Sequence, residues 1–296
     1  MAVVVACRPK QWLKNLLVFA VPLAAGSLLT PRVLSASIGA FVAFCLASSA
    51  TYLVNDVRDV AADRVHPRKR TRPIAAGHLS PRTALAVAAL LVIGSLGLAG
   101  LIGRDLLCVV VGYLVATSLY SISLKHVPVI ELGLLAIGFL LRAVAGGVAS
   151  DLPISQWFLI VAGFGSLFMA AGKRFSELER RATPPADAPQ GSPTQSPHRR
   201  SLDGYTPGYL RFVWATAAAV TIAGYCLWAF EVGQTPTWAP WAAFSIVPFV
   251  LAILRYAMDI DRGEAEAPED AVLADRVLLA LGFGWLVLFS LAAAGV

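Results

Sequence analysis

Charge is scarce in this chain. Asp, Glu, Lys and Arg make up 14% of its 296 residues, against about a quarter in soluble domains, which excludes an ordinary water-soluble globular protein. Histidine is scarcer still. His66, His78, His126 and His198 all stand in polar stretches between apolar runs, and no Ser–His or Cys–His arrangement suggests nucleophilic catalysis. The four cysteines, Cys7, Cys45, Cys108 and Cys226, are scattered without metal-ligand spacing, and read as small apolar residues in a reduced setting. Strict alternation of apolar and polar residues is missing too, which excludes a membrane β-barrel.

What is abundant is hydrophobic sequence, 57% of the chain. Nine runs stand out: Leu16–Leu29, Val33–Val54, Thr83–Ile102, Leu106–Leu124, Val129–Ala149, Ile154–Ala171, Phe212–Phe230, Trp238–Tyr256 and Val277–Val296. Most are near the roughly 20 residues that cross a bilayer as a helix; the first is short, with Gln11-Trp12-Leu13 extending it into the interface. The expectation is an all-α integral membrane protein of nine transmembrane helices forming a single domain. If the N-terminus is cytoplasmic, all of the 24 Lys and Arg except Arg32, Arg104 and Arg142 fall in or beside cytoplasmic segments, as the positive-inside rule requires. An odd number of spans then puts the C-terminus outside. The net charge of +6 suits anionic lipid and a polyanionic substrate; nucleic acid is not an expected partner.

Two cytoplasmic loops carry most of this charge, one from Arg58 to Arg82 and one from Lys173 to Arg211. They follow the second and sixth spans, a placement that suggests two four-helix halves sharing one site. The middle of the second loop, 182–207, is rich in Pro, Ser and Thr and reads as disordered. The first opens with Asn55-Asp56-Val57-Arg58-Asp59-Val60-Ala61-Ala62-Asp63. On a continuous helix Asp56, Asp59 and Asp63 fall within an arc of roughly 60°. Three like charges on one face repel, and a hard divalent cation relieves them; Mg²⁺ takes oxygen ligands and commonly shares them with phosphates. Arg64, Arg68, Lys69, Arg70 and Arg72 come next. Carboxylates for a metal beside cations for phosphate indicate diphosphate chemistry at a membrane surface, with Asn55 able to add an amide oxygen or to orient a carboxylate.

This motif after the second of nine spans resembles that of the UbiA superfamily of intramembrane prenyltransferases. The resemblance implies a UbiA-type helical bundle in which Asp56, Asp59 and Asp63 bind Mg²⁺ and the donor's diphosphate. Where that superfamily normally carries a second aspartate-rich motif, this chain has Gly172-Lys173-Arg174-Phe175-Ser176-Glu177-Leu178-Glu179, in which two cations lead and two glutamates replace the aspartates. Together with Arg8-Pro9-Lys10-Gln11-Trp12-Leu13-Lys14-Asn15, Tyr120-Ser121-Ile122-Ser123-Leu124-Lys125 and the tail from Arg255, this is similar to one branch, the decaprenyl-phosphate phosphoribosyltransferases of actinobacterial arabinan synthesis.

That branch implies phosphoribosyl pyrophosphate as donor, polyprenyl phosphate as acceptor, and a bacterial plasma membrane enzyme whose site faces the cytoplasm. Lys14, Lys125, Lys173 and Arg174 are then candidate phosphate ligands, with Glu177 available to a second metal or to Lys173. Glu131 and Arg142 share a face of the fifth span, and an ionisable group at membrane depth is functional or paired; Arg142 is expected to reach a phosphate. The competing expectation is an ordinary prenyltransferase taking a prenyl diphosphate and an aromatic or isoprenoid acceptor. The oligomeric state, a homo-oligomer included, stays open.

Overall fold

The computed structural model describes residues 1–67, 69–182, 200–232, 239–265 and 268–295, and among these there is no β-strand. A short helix α1 (Ala2–Ala6) leads into a 3-10 helix (Pro9–Phe19) and α2 (Ala20–Ala24). Then come α3 (Pro31–Arg58), α4 (Val60–Val65), α5 (Pro81–Ile102), α6 (Arg104–Ile122), α7 (Ile130–Ala149) and α8 (Gln156–Ala182). The chain ends with α9 (Pro207–Val232), α10 (Trp241–Asp261), α11 (Pro268–Ala274) and α12 (Arg276–Ala294). Proline at the first position starts α3, α5 and α9, where its missing N–H costs nothing. Ser80 caps α5, its Oγ accepting from the Thr83 N–H, and Asp275 caps α12 by accepting from the N–H groups of Val277 and Leu278.

Eight of these helices, α3, α5 to α10 and α12, are long and apolar enough to cross a membrane. The expected first span differs. Leu16–Leu29 is not one α-helix: its beginning belongs to the 3-10 helix, and α2 comes after it. This length of chain lies antiparallel along α3. Trp12 donates to Ser49 at 3.0 Å, Asn15 reaches Cys45 and Ser48, and Phe19 meets Phe41. A 14-residue α-helix reaches about 21 Å. The 11-residue 3-10 helix rises about 2.0 Å per residue, roughly 22 Å, and α2 adds about 8 Å. Hydropathy cannot see this stretching, because it counts residues and not rise.

Small residues bring the helices close. Ala40, Ala43, Ala47 and Ala50 of α3 and Ala84, Ala88 and Ala99 of α5 are buried, and Ser95 donates to the Ala43 carbonyl at 2.7 Å, the packing expected where lipid offers no hydrophobic drive. One apolar core joins the 3-10 helix, α3, α5, α6 and α7; a second joins α8, α9, α10 and α12 with Leu132 of α7. Helix α7 thus ties the two together, and α3 is the most enclosed of the crossing helices.

Of the 182–207 stretch expected to be disordered, 183–199 lies outside the described residues. Its end is built into the second core: Arg200–Gly204 forms a 3-10 turn, and Leu202 and Tyr205 are buried.

Gly146 of α7 is where the 3-10 helix seats. A Cβ there would stand 1.7 Å from the Val18 carbonyl oxygen, whereas one at Gly112 meets nothing within 4 Å. Gly146→Ala is therefore expected to lower stability by about 1–3 kcal/mol and Gly112→Ala to leave it nearly unchanged, read as thermal unfolding of the detergent-solubilised protein.

Candidate functional site

Helix α3 runs on past its apolar stretch, so Asp56 sits in its last turn and is buried. Asp59 then breaks the helix, with φ −91° and ψ 6°, before α4 begins at Val60. The break divides the three aspartates. Asp56 and Asp63 face one another, 3% and 2% exposed. Asp59 turns away, about half exposed, towards Lys125 at 3.6 Å. The trio expected as one metal-binding set is not gathered as one: among the described residues no group of three His, Cys, Asp or Glu is placed to hold a metal ion.

Asp56 and Asp63 are joined by an arginine. Arg72 Nη1 donates to Asp56 Oδ1 at 3.1 Å and to Asp63 Oδ2 at 2.6 Å. Arg8 Nη2 donates to Asp56 Oδ1 at 2.5 Å while its guanidinium lies 4.9 Å over the Tyr52 ring. From the sequence Arg72 was one of five cations for phosphate and Arg8 part of a basic N-terminal stretch; neither stood out as the partner of these carboxylates. Arg72 is positioned by its C-terminal neighbours: Ile74 and Leu79 are buried in a cluster with Ala6, Cys7, Ala50, Leu53, Ala84 and Ala88, which pins the loop against α1, α3 and α5. The clue was an arginine followed by Pro-Ile in a loop otherwise polar. Arg8 adopts the left-handed conformation, φ 53°, a strained state for a residue with a side chain.

A cationic nitrogen bridging two buried carboxylates tests whether Mg²⁺ suits the place. Mg²⁺ is usually bound through one or two carboxylates together with substrate phosphates. Asp56 and Asp63 supply the two, with oxygens that already converge on a single positive atom, so the donor set fits.

A second group of charges stands at the start of α7 and the end of α8. Arg174, 1% exposed, donates from Nε and Nη2 to the two oxygens of Glu131, both at 2.9 Å. Its other bonds go to Glu177 at 2.5 Å and to the Tyr120 hydroxyl at 3.1 Å. A phosphate would have to displace two carboxylates to reach this arginine, so the expectation that Arg174 and Glu177 meet substrate gives way to a clamp holding α8 to α6 and α7. Lys173 is half-buried beside it. Lys125, on the turn between α6 and α7, pairs with Asp59 at 3.6 Å. Asn55 is half-buried next to Asp56, and Lys14 donates to Gln11 at 2.6 Å.

Glu131 and Arg142 share a face of α7 but do not pair. Arg142 is buried about three turns deeper. Its Nε donates to Asn15 Oδ1 at 2.7 Å, Nη1 to the Gly138 carbonyl at 2.6 Å and Nη2 to the Tyr113 hydroxyl at 2.8 Å, with its guanidinium 4.6 Å over the Tyr113 ring. Asn15 bonds Cys45 and Ser48, eight and more residues before Asp56, so Arg142 stands on the order of 12 Å away from the carboxylates along α3. The structure does not bring it to the site.

The turn carrying Lys125 and Glu131 is held from a distance. Val129 has φ 67°, an outlier for a β-branched residue. Its N–H donates to the Tyr205 hydroxyl at 2.6 Å, and Gly204 packs so closely on Pro128 that a Cβ would stand 2.6 Å from its Cγ. Burial pushes the Tyr205 hydroxyl pKa up to about 12, so it stays neutral.

Among known proteins, the UbiA prenyltransferase family matches residues 16–274. Decaprenyl-phosphate phosphoribosyltransferase of Corynebacterium glutamicum is 48% identical over 286 residues, 95% of this chain and 83% of that protein. The protein of the same name from Mycobacterium tuberculosis is 48% identical over 288 residues, 96% of this chain and 91% of the relative. A solved UbiA homolog from Archaeoglobus fulgidus bound to GPP and Mg²⁺ superposes with TM-score 0.72 over all of both chains at 18% identity, a likeness of fold.

Removing one member of a buried ion pair strands its partner. Glu131→Gln and Arg174→Met are each expected to cost about 3–5 kcal/mol of stability. Lys125→Ala, whose pair with Asp59 is partly exposed, is expected to cost under about 1 kcal/mol. Thermal unfolding in detergent separates the two classes.

Proposed function

Because this chain belongs to the UbiA prenyltransferase family and is a membrane transferase, we propose that it moves the 5-phosphoribosyl group of phosphoribosyl pyrophosphate onto decaprenyl, or another polyprenyl, phosphate and releases diphosphate, a step in supplying cell-wall arabinan. The observation that carries this reading is the near-half identity, over almost the whole chain, with decaprenyl-phosphate phosphoribosyltransferases. The abundance of cations supports it. Donor and acceptor together bring a diphosphate and two further phosphates to one place, and Arg8, Arg72 and Lys125 surround the carboxylates.

Asp56 and Asp63, with Asp59 beside them, would hold Mg²⁺, whose chemistry when bound is to neutralise the diphosphate as it leaves. The side chains of the protein bind and orient. Lys14, Lys125 and Lys173 are the proposed cations for donor and acceptor phosphates, and Asn55 steadies the neighbouring carboxylate. Arg174, Glu131 and Glu177 keep α7 and α8 in register, and Arg142 keeps the 3-10 helix against α7. The bond between C1 of the ribose and the diphosphate oxygen breaks with its electron pair going to diphosphate. An oxygen of the polyprenyl phosphate bonds to C1 from the opposite face, so the product is inverted. That oxygen is an anion at neutral pH, and no side chain has to remove a proton. Positioning and electrostatics are the means of catalysis.

In this reading the protein lies in the bacterial plasma membrane with the site on the cytoplasmic side. The 3-10 helix and α2, reaching about 30 Å together, make the first of nine crossings. The N-terminus is cytoplasmic and the C-terminus outside. The fold shared with a homolog solved with GPP keeps a prenyl diphosphate donor as the competing reading.

A purified preparation decides between them. Diphosphate release from phosphoribosyl pyrophosphate should require both Mg²⁺ and polyprenyl phosphate, and Asp56→Asn or Asp63→Asn should lower it at least about 100-fold in protein that still elutes as a folded species. Release from a prenyl diphosphate instead, with none from phosphoribosyl pyrophosphate, would replace this reading by its competitor.

A further inference from the structure

Arg72 and a divalent cation claim the same place. Its Nη1 lies between Asp56 Oδ1 and Asp63 Oδ2, bonded to both, and those carboxylates are almost wholly buried. Two buried like charges need a cation close by to stay ionised. A divalent cation held by these two carboxylates would compete with the guanidinium for them, and the two positive groups would repel. Arg8 differs: it touches Asp56 alone and is also held over Tyr52. Arg72, its side chain no more exposed than that of Arg8, comes instead from a loop, on a stem long enough to turn without moving the backbone that Ile74 anchors.

We propose that Arg72 is an exchangeable counter-cation. It bridges Asp56 and Asp63, yields that bridge to the divalent cation that arrives with the diphosphate, and turns its guanidinium onto the phosphate oxygens. Rigid planar donors suit both partners, since a carboxylate and a phosphate each accept paired N–H groups. The exchange keeps a cation against the buried pair before and after, a single charge giving way to a double one that the diphosphate offsets. It makes Arg72 an opponent of the metal alone and an ally of the metal–diphosphate complex, which couples the two ligands positively. This rests on the proposed assignment of Asp56 and Asp63 as the metal ligands.

The test needs two opposite signs from one substitution. Mn²⁺ binding to the purified full chain in detergent is measured by electron paramagnetic resonance. Inorganic diphosphate binding at a fixed excess of Mg²⁺ is measured by the shift in thermal unfolding. For Arg72→Gln, Mn²⁺ alone is expected to bind about fivefold or more tightly than to the unsubstituted protein, and diphosphate about tenfold more weakly. Arg72→Lys, which keeps the charge but not the fork, should move both quantities the same way by less, and serves alone if the glutamine variant does not elute as folded protein. Mn²⁺ affinity that is unchanged or weaker in these variants overturns the competition. Tighter Mn²⁺ with unchanged diphosphate affinity overturns the exchange. If Asp56→Asn leaves Mn²⁺ binding intact in an otherwise unsubstituted chain, the metal assignment itself fails and takes this inference with it.

Discussion

A carboxylate removed from water must find a cation or lose its charge, and this molecule removes two of them side by side. Asp56 and Asp63 are closed in at the end of an apolar bundle, and much of the surrounding architecture can be traced to supplying their counter-charge. Arg72 reaches them because Ile74 and Leu79 nail its loop to α1, α3 and α5. Arg8 reaches Asp56 because the chain after it runs as a 3-10 helix along α3, held at Trp12, Asn15 and Phe19. Asp59, placed at the break between α3 and α4, is left outside the pair and turned to Lys125. The two carboxylates and their cations are thus brought together by the fold itself.

The placement of Lys125 depends on a part of the chain far away in sequence. Val129 is held in a conformation β-branched residues avoid, and the hydrogen bond to Tyr205 together with the close seat of Gly204 on Pro128 offsets the strain. The loop before α9 thus fixes the turn before α7, and through it both Lys125 and Glu131. Arg174 then locks Glu131 to α8. The two apolar cores are joined through α7, whose Glu131 is tied to α8 by Arg174.

The sequence announced the bundle plainly, because eight of the nine hydrophobic runs are long α-helices whose length reports directly on a bilayer. The ninth was misjudged in form because residue count does not reveal rise per residue. The acidic motif was legible in composition but not in geometry. Spacing places Asp56, Asp59 and Asp63 on one arc only while the helix is unbroken, and nothing local in Arg58-Asp59-Val60 declares the break. Arg8 and Arg72 were hidden for another reason: each was one cation among several, and their roles come from tertiary anchors. Tyr205 lay in a stretch whose composition suggested no order at all.

The basic residues near the site divide by what surrounds them. Arg142 and Arg174 are buried with their N–H groups directed at protein oxygens. Drawing either towards a phosphate would strand Asn15 and Tyr113, or Glu131 and Glu177, without compensation. Arg8, Arg72 and Lys125 are partly exposed, and each faces a carboxylate that a metal ion can also satisfy. Exchange is therefore closed to Arg142 and Arg174, and of the second class it is Arg72 that bridges both buried carboxylates. Charge at the membrane surface alone would not have separated the two, since Lys and Arg crowd the whole face; burial and the identity of each partner do. The arginines that tie helices together and the cations that face the carboxylates are different residues.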